Sequence, residues 1–193
     1  MSRRDRKRIE LTDNIYFITT TVMNFENILT TDENYTMILI DSLKYLLAEH
    51  LAALFAYVIM PNHLHLIIDM PENQSISDFM RDFKKYTSKE IYKRAVMDRN
   101  LKVARRLEEN SNTGGAKLWM DRFDSQLIVT EKFLKQKINY IHNNPVKAGL
   151  VHEITEWPYS SARNYYLGDK TLIDVATDWK RRIKMTIFQS AAL

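Results

Sequence analysis

Apolar residues in this chain recur at two periods, and the switches between them divide it into elements. Asn14 to Val22 is rich in β-branched and aromatic residues and reads as a strand. From Asp32 to His50, Tyr35, Ile38, Leu39, Leu43, Leu46 and Leu47 fall at helical spacing. Leu54 to Met60 reads as a second strand, Pro61-Asn62 as a tight turn, and His63 to Met70 as an antiparallel partner. Ser75 with Asp78 resembles a capping box and opens a helix expected to bury Ile76, Phe79, Met80, Phe83 and Ile91. A polar loop around Glu108 to Ala116 leads to a strand within Leu118 to Val129. Thr130 to Asn144 reads as a helix with Thr130 as N-cap, Glu131 in the first turn, and Phe133, Leu134, Ile138 and Ile141 on one face. Pro145 disfavours helical geometry at Asn144, so the helix is expected to end near there. Further on, Ser160-Ser161-Ala162-Arg163 reads as a short helix start, and residues from Leu172 onward as another helix. The order is that of an α+β, ferredoxin-like β-α-β-β-α-β antiparallel sheet, with an added tyrosine-bearing helix and a C-terminal helical tail.

Chemistry enters at the second hairpin strand. In Pro61-Asn62-His63-Leu64-His65-Leu66 two histidines flank one apolar residue. Side chains alternate across a strand, so His63 and His65 share a face and their imidazoles can converge on one divalent cation. The alternative is two half-buried histidines hydrogen-bonded to neighbours. On the Thr130–Asn144 helix, Tyr140 and Asn144 lie one turn apart, flanking the apolar stripe. A tyrosine there can lean over a sheet with its hydroxyl accessible, and Asn144 can add an amide oxygen to the histidine pair. A metal held this way acts as a Lewis acid on a phosphate, and a tyrosine that has lost its proton is a competent nucleophile. The site must then favour the phenolate through nearby positive charge, for which Lys137 is one source. Tyr86, on a basic helix, is the rival nucleophile, although its spacing from Phe79 and Phe83 marks it as a core or flank residue. Asn143 competes with Asn144, but the spacing from Tyr140 favours Asn144. His50, His142 and His152 have no metal-spaced partner and read as surface or capping residues.

These residues resemble a known family. The run from Pro61 to Leu66 is similar to the signature of HUH nucleotidyl transferases, in which a hydrophobic residue separates two histidines. Tyr140-Ile141-His142-Asn143-Asn144-Pro145-Val146-Lys147-Ala148-Gly149-Leu150-Val151 resembles the tyrosine helix of the REP-associated tyrosine transposases, relatives of the single-tyrosine transposases of small bacterial insertion sequences. Trp157-Pro158-Tyr159-Ser160-Ser161-Ala162 matches a recurrent feature of the same group, and the resemblance runs from about Asn14 to Tyr166. It implies the same ferredoxin-like fold, His63, His65 and Asn144 as ligands of Mg²⁺ or Mn²⁺, and Tyr140 as nucleophile. It further implies cleavage of single-stranded DNA, a covalent 5′-phosphotyrosine intermediate, transfer of that end to another strand, and a hairpin-bearing substrate of the repetitive extragenic palindrome type. Members occur as monomers and as homodimers.

Composition adds limits. With 193 residues, one principal domain is expected, 14–151, preceded by a basic arm, 1–13, and followed by an extension, 152–193, packed on it. The chain has no cysteine, no apolar run of membrane-spanning length and no phosphate-cradling glycine loop, so neither a membrane nor a nucleotide cofactor is expected, and a cytoplasmic location is the simplest reading. Net charge is +4, with Arg3, Arg4, Arg6, Lys7 and Arg8 crowding the arm, a basic run from Arg81 to Arg106, and Lys180-Arg181-Arg182 with Lys184 near the end. Three clusters beside a phosphate-directed site point to nucleic acid, with Arg3, Arg4, Arg6, Lys84, Lys85, Lys89, Arg122 and Lys137 as candidate DNA contacts. Trp119 and Arg122 could contact DNA or pack at a strand end. Trp157, Tyr159, Tyr165 and Tyr166 could stack on bases, but packing of the tail is the favoured role. The reading is a metal-dependent single-strand DNA endonuclease and strand transferase. The alternatives are a domesticated, non-cleaving DNA-binding regulator and a hydrolase of small phosphoesters.

Overall fold

A computed structural model describes residues 14–112 and 114–179. The basic arm with Arg3, Arg4 and Arg6, and the Lys180-Arg181-Arg182 cluster, lie outside them.

Two strands with almost no polar interior residue anchor the sheet. Ala53–Ile59 (β2) is buried along its whole length, and His63–Asp69 (β3) is buried over Leu64–Ile68. Such strands require cover on both faces. The Pro61-Asn62 turn joins them, with the Met60 amide donating to the His63 carbonyl at 2.8 Å. This turn is itself held: the Ile28 and Leu29 amides donate to the Pro61 carbonyl and the Val22 amide to that of Asn62, each at 2.9 Å. Ile15–Thr21 (β1) and Asp124–Leu127 (β4) complete a four-stranded antiparallel sheet in the order β2-β3-β1-β4. With the helices in place this is the expected ferredoxin-like arrangement.

One face carries Ile18, Leu64, Leu66 and Ile68, and packs against Glu33–Glu49 (α1) and Ile76–Met97 (α2). Asp32 and Ser75 cap these helices by accepting from the amides of Asn34 and Asp78. Phe79, Met80, Phe83 and Ile91 are buried as expected, while Ile76 is half-buried. The other face carries Ile15, Phe17 and Ile67, and is covered by Leu134, Ile138 and Ile141 of Glu131–Lys147 (α4). A bulge at Leu54/Ala56 puts Phe55 and Ala56 on this second face together, with Leu54 and Tyr57 on the first.

Several expectations are corrected. The basic helix is broken at Asp98–Asn100, where Arg99 adopts a φ of 56°, and a separate helix, Leu101–Glu109 (α3), follows inside what reads as one basic run and polar loop. α4 ends near Asn144, as expected, but runs through Pro145 to Lys147 before it does so. Pro145 sits in the last turn, where only one intrahelical bond, to the Ile141 carbonyl, is forfeited. Its apolar ring is buried on the same side as Ile141. Residues 172–178 are not helical, and the chain beyond Trp179 lies outside the described residues. Trp119 is a packing residue, buried and donating through Nε1 to Thr87 Oγ1 at 2.8 Å.

The tail lines the free edge of β2. Tyr159 and Ser161 pair with Ile59 and Tyr57, Trp157 Nε1 donates to the Ile59 carbonyl, the Tyr165 hydroxyl to that of Phe55, and the Ala176 amide to that of Leu54. These contacts satisfy an edge that would otherwise offer open hydrogen-bonding groups. Ala162–Tyr166 (α5) starts where the serines predict. Tail packing therefore accounts for Trp157, Tyr159 and Tyr165, whereas Tyr166 is exposed. No helix among the described residues is long and apolar enough to cross a membrane.

The Trp119–Thr87 bond is buried at both ends, so Thr87→Val leaves an indole N–H without an acceptor. The expected loss is about 1–3 kcal/mol, read as a lower urea midpoint at unchanged slope. An unchanged midpoint would show the bond to be dispensable.

Candidate active site

Strand alternation places His63 and His65 on the second sheet face, beside Thr21 and Thr19 of β1 in the paired register. Their ring centroids are 4.8 Å apart. α4 brings Tyr140 over them: its ring lies 5.2 Å from that of His65 and 5.9 Å from that of Phe17, both edge-on. Phe17 also stacks on His65 at 5.4 Å. Tyr140 stays 40% exposed while His65 is only 4% exposed, so the phenol bridges solvent and a dry imidazole. Asn144, one turn further along α4, reaches the His63 side chain with its own and favours the charged form of that ring. The structure thus gathers His63, His65, Tyr140 and Asn144 within one chain. Asn143 points away, its amide donating to the Asn139 carbonyl at 2.8 Å.

Both imidazoles are oriented through Nδ1. His63 Nδ1 lies 2.7 Å from Asn62 Oδ1, an atom that can only accept, so Nδ1 carries the hydrogen and Nε2 keeps its lone pair. His65 Nδ1 lies 2.8 Å from Thr19 Oγ1, and its Nε2 is buried with no hydrogen-bond partner. An orphaned buried nitrogen beside a second imidazole and an amide is a donor set with a lone pair to give, and it fits a divalent cation. Donation of the other ring nitrogen to an oxygen is the usual orienting arrangement for a ligating histidine. Burial lowers the pKa of both rings, that of His65 to about 3 with help from His63 and Lys137, so His65 is neutral at physiological pH. Among the described residues no cluster of three His, Cys, Asp or Glu side chains exists, so a cation here would depend on Asn144 as third protein donor.

Two cations flank the tyrosine. Lys137 Nζ sits 4.0 Å from the Phe17 ring centre and 5.7 Å from that of Tyr140, and Lys147 Nζ is also 5.7 Å from the Tyr140 ring. Lys137 was expected from the sequence; Lys147 was not singled out, although it follows Tyr140 by seven residues, two helical turns.

The remaining candidates lie elsewhere. Lys84, Lys85 and Lys89 are on α2, across the sheet from Tyr140. Lys84 is committed, its Nζ donating to the carbonyls of Met120 and Asp121, whereas Lys85, Lys89 and Arg122 are exposed. Arg81, Lys84, Lys85 and Lys117 border a cleft of about 460 Å³ floored by Trp119. Tyr86 is on α2 as well, exposed and away from both histidines of the pair. His142 is corrected from surface to core: it is fully buried, and its Nε2 lies 2.9 Å from Ser161 Oγ. Its position was legible as part of the row Leu134, Ile138, His142, spaced four apart on the covered side.

Residues 13–144 match the model of the family described as transposase IS200 like. The chain belongs to that transposase family. Members are enzymes, and the match ends at Asn144, the last residue of the gathered set. A Haemophilus influenzae protein assigned to the REP-associated tyrosine transposases is 33% identical over 108 residues, covering 55% of this chain and 56% of that protein. The REP-associated tyrosine transposase of Escherichia coli is 27% identical over 107 residues, covering 55% and 52%. The chain therefore spans about half the length of the curated relatives it matches. A solved structure of a REP-associated tyrosine transposase bound to a REP hairpin superposes with a TM-score of 0.61, at 23% identity, over 91% of this chain and 92% of that one. It shows that the fold of this IS200-like transposase is shared.

The buried histidines make metal-free stability pH-dependent. His65 is held near 3 and His142, by burial alone, near 4, whereas both titrate near 6.5 when unfolded. Between these values the unfolded chain binds protons that the native state refuses. Stability is thus complete above pH 6.5 and is lost as pH falls toward 3. In EDTA, Tm should drop through this window, and drop less in His142→Gln. Equal slopes would show that His142 is not held neutral.

Proposed function

We propose that this chain is a metal-dependent single-stranded DNA endonuclease and strand transferase working through a 5′-phosphotyrosine link. The observation that carries the reading is the delivery of Tyr140, from α4, onto the ring of His65 beside His63 and Asn144. The phenol gives its proton to solvent, and its oxygen attacks the scissile phosphorus. The bond from phosphorus to the 3′ oxygen breaks, that oxygen leaves as a 3′-hydroxyl once protonated, and the 5′ phosphate stays on Tyr140. A 3′-hydroxyl of another strand then displaces the tyrosine, forming a new phosphodiester and restoring the phenol. Energy of the phosphodiester is retained in the link, so no nucleotide cofactor is needed.

His63, His65 and Asn144 would hold the divalent cation, Mg²⁺ or Mn²⁺. Such an ion, when bound, supplies Lewis-acid polarisation of a phosphate oxygen. Lys137 and Lys147 place positive charge within 5.7 Å of the Tyr140 ring centre and offset charge that builds on the phosphate. Phe17 seals one side of His65 from water, which strengthens each of these interactions. A hairpin-bearing strand as substrate is supported by the REP hairpin bound to the structural relative. The exposed Lys85, Lys89 and Arg122 give the molecule basic surface beyond the site for the rest of such a strand.

The test is adduct formation on labelled single-stranded hairpin DNA with Mg²⁺ or Mn²⁺. Wild type is expected to form a 5′-linked protein–DNA species that is absent from Tyr140→Phe and from the His63→Ala/His65→Ala double variant. An adduct that survives Tyr140→Phe would move the nucleophile, with Tyr86 next in line. Binding without any adduct across a panel of hairpins would overturn the proposal in favour of a non-cleaving regulator.

A further inference from the structure

The tail motif from Trp157 to Ala162 touches none of the reacting groups, yet it meets the helix that carries two of them. We infer that His142 and Ser161 form a latch that fixes the rotation of α4 and so presents Tyr140 and Asn144 to the histidine pair. This rests on the reading of Tyr140 as nucleophile given above.

The geometry makes the latch specific. His142 follows Tyr140 by two residues, about 200° around a helix, so a hold on one is a hold on the angle of the other. The packing that keeps α4 on the sheet, through Leu134, Ile138 and Ile141, is non-directional and tolerates a small roll. The last turn is also short of one internal bond, because Pro145 cannot donate to the Ile141 carbonyl. A directional contact is therefore most useful between Tyr140 and Asn144, and His142 supplies it there.

Ser161 is equipped to hold it. Its Oγ receives the Tyr57 amide at 3.0 Å, donates to the Tyr57 carbonyl at 3.3 Å, and lies 2.9 Å from His142 Nε2. With its single hydrogen given to the Tyr57 carbonyl, the hydroxyl accepts from the imidazole, so Nε2 carries the hydrogen. The bare Nδ1, buried without a partner, is then a lone pair, which costs less to strand than an N–H. Ser161 in turn cannot drift, since its own amide donates to the Tyr57 carbonyl at 3.0 Å and the Ile59 amide donates to the Tyr159 carbonyl at 2.9 Å. The imidazole is boxed by the rings of Tyr165 and Tyr166, with centroids at 5.0 and 5.8 Å. α4, the tail and β2 thus meet at one hydroxyl. His142 and Ser161 are positioning residues, acting on the reaction through the angle of Tyr140.

Full-length His142→Leu, His142→Gln and Ser161→Ala variants test this. Leucine fills the space with no donor, whereas the glutamine amide N–H reaches toward the lost Nε2. His142→Leu is expected to keep Tm within a few degrees, whereas Ser161→Ala, which also strands the Tyr57 amide, is expected to lower it. Both are expected to keep the Kd for hairpin DNA. Their single-turnover adduct rate is expected to fall by about 10²-fold, the effect of misplacing a reacting group by about 1 Å, and His142→Gln is expected to recover most of it. A rate that holds in His142→Leu, or a loss that glutamine does not rescue, overturns the latch. A second readout does not depend on cleavage. The chain lacks cysteine, so Lys44→Cys on α1 and Lys132→Cys on α4 accept one nitroxide each. Their distance distribution should broaden or shift in His142→Leu and Ser161→Ala. An unchanged distribution overturns the latch whatever the activity. A changed distribution in a chain that never forms an adduct upholds the latch and removes the nucleophile instead.

Discussion

α4 packs on the face of the sheet away from α1 and α2, and burial of Leu134, Ile138 and Ile141 against Phe17 and Ile67 holds it there. The two-layer ferredoxin-like arrangement leaves that face open, and an open face would leave His63 and His65 as ordinary wet imidazoles. Coverage changes both their chemistry and their company. His65 loses water, stays neutral and keeps an unengaged Nε2. The same helix delivers Tyr140, Asn144, Lys137 and Lys147 in one operation, because residues three, four and seven apart share a side. One packing contact therefore creates the dry histidine pair and sets Tyr140 beside it.

The electrostatics of the gathered set are lopsided. His63, His65 and Asn144 are neutral donors, and two ammonium groups stand beside the tyrosine. Among the described residues no carboxylate joins the two histidines in a group that could hold a metal. On the proposed function, a cation here would find little charge compensation from these side chains, and the phosphate of the strand would supply the missing anion. On that proposal metal and DNA would support each other's binding, as linkage demands of any two ligands whose charges compensate.

Legibility divided along the range of the interactions. Period-two alternation was enough to put His63 and His65 on one face, and helical spacing was enough to set Tyr140 above Asn144 rather than Asn143. Caps at Ser75 and Thr130 were likewise readable, because a cap bonds about three residues away. The break at Arg99 was not, since neither glycine nor proline marks it and the basic composition continues across it. The bulge at Phe55 was hidden in a run of seven apolar residues, which carries no alternation from which to read a register. Lys84 looked like a DNA contact because its partners, the carbonyls of Met120 and Asp121, lie more than thirty residues away. Pro145 was read by its local preference, and that preference lost to burial of its ring in the final turn.

His142 shows why the tail belongs with the site rather than after it. Burying an imidazole without charge costs its hydration, and a hydrophobic residue at that point in α4 would pack at no such cost. The imidazole is nonetheless met by a serine whose hydroxyl is already fixed to both backbone groups of Tyr57. A polar contact of this kind adds little net stability, but it has one geometry, whereas the apolar contacts around it have many. The edge of β2 needed covering in any case, and the segment that covers it runs from Trp157 to Ala176. Using that cover to carry Ser161 turns an edge seal into a fixed reference for the tyrosine helix. Strand β3 holds the two histidines and β2 is its hydrogen-bonded neighbour. Anchoring α4 to β2 therefore ties the helix to the same rigid hairpin that carries the histidines, through two rows of backbone bonds rather than through a loop.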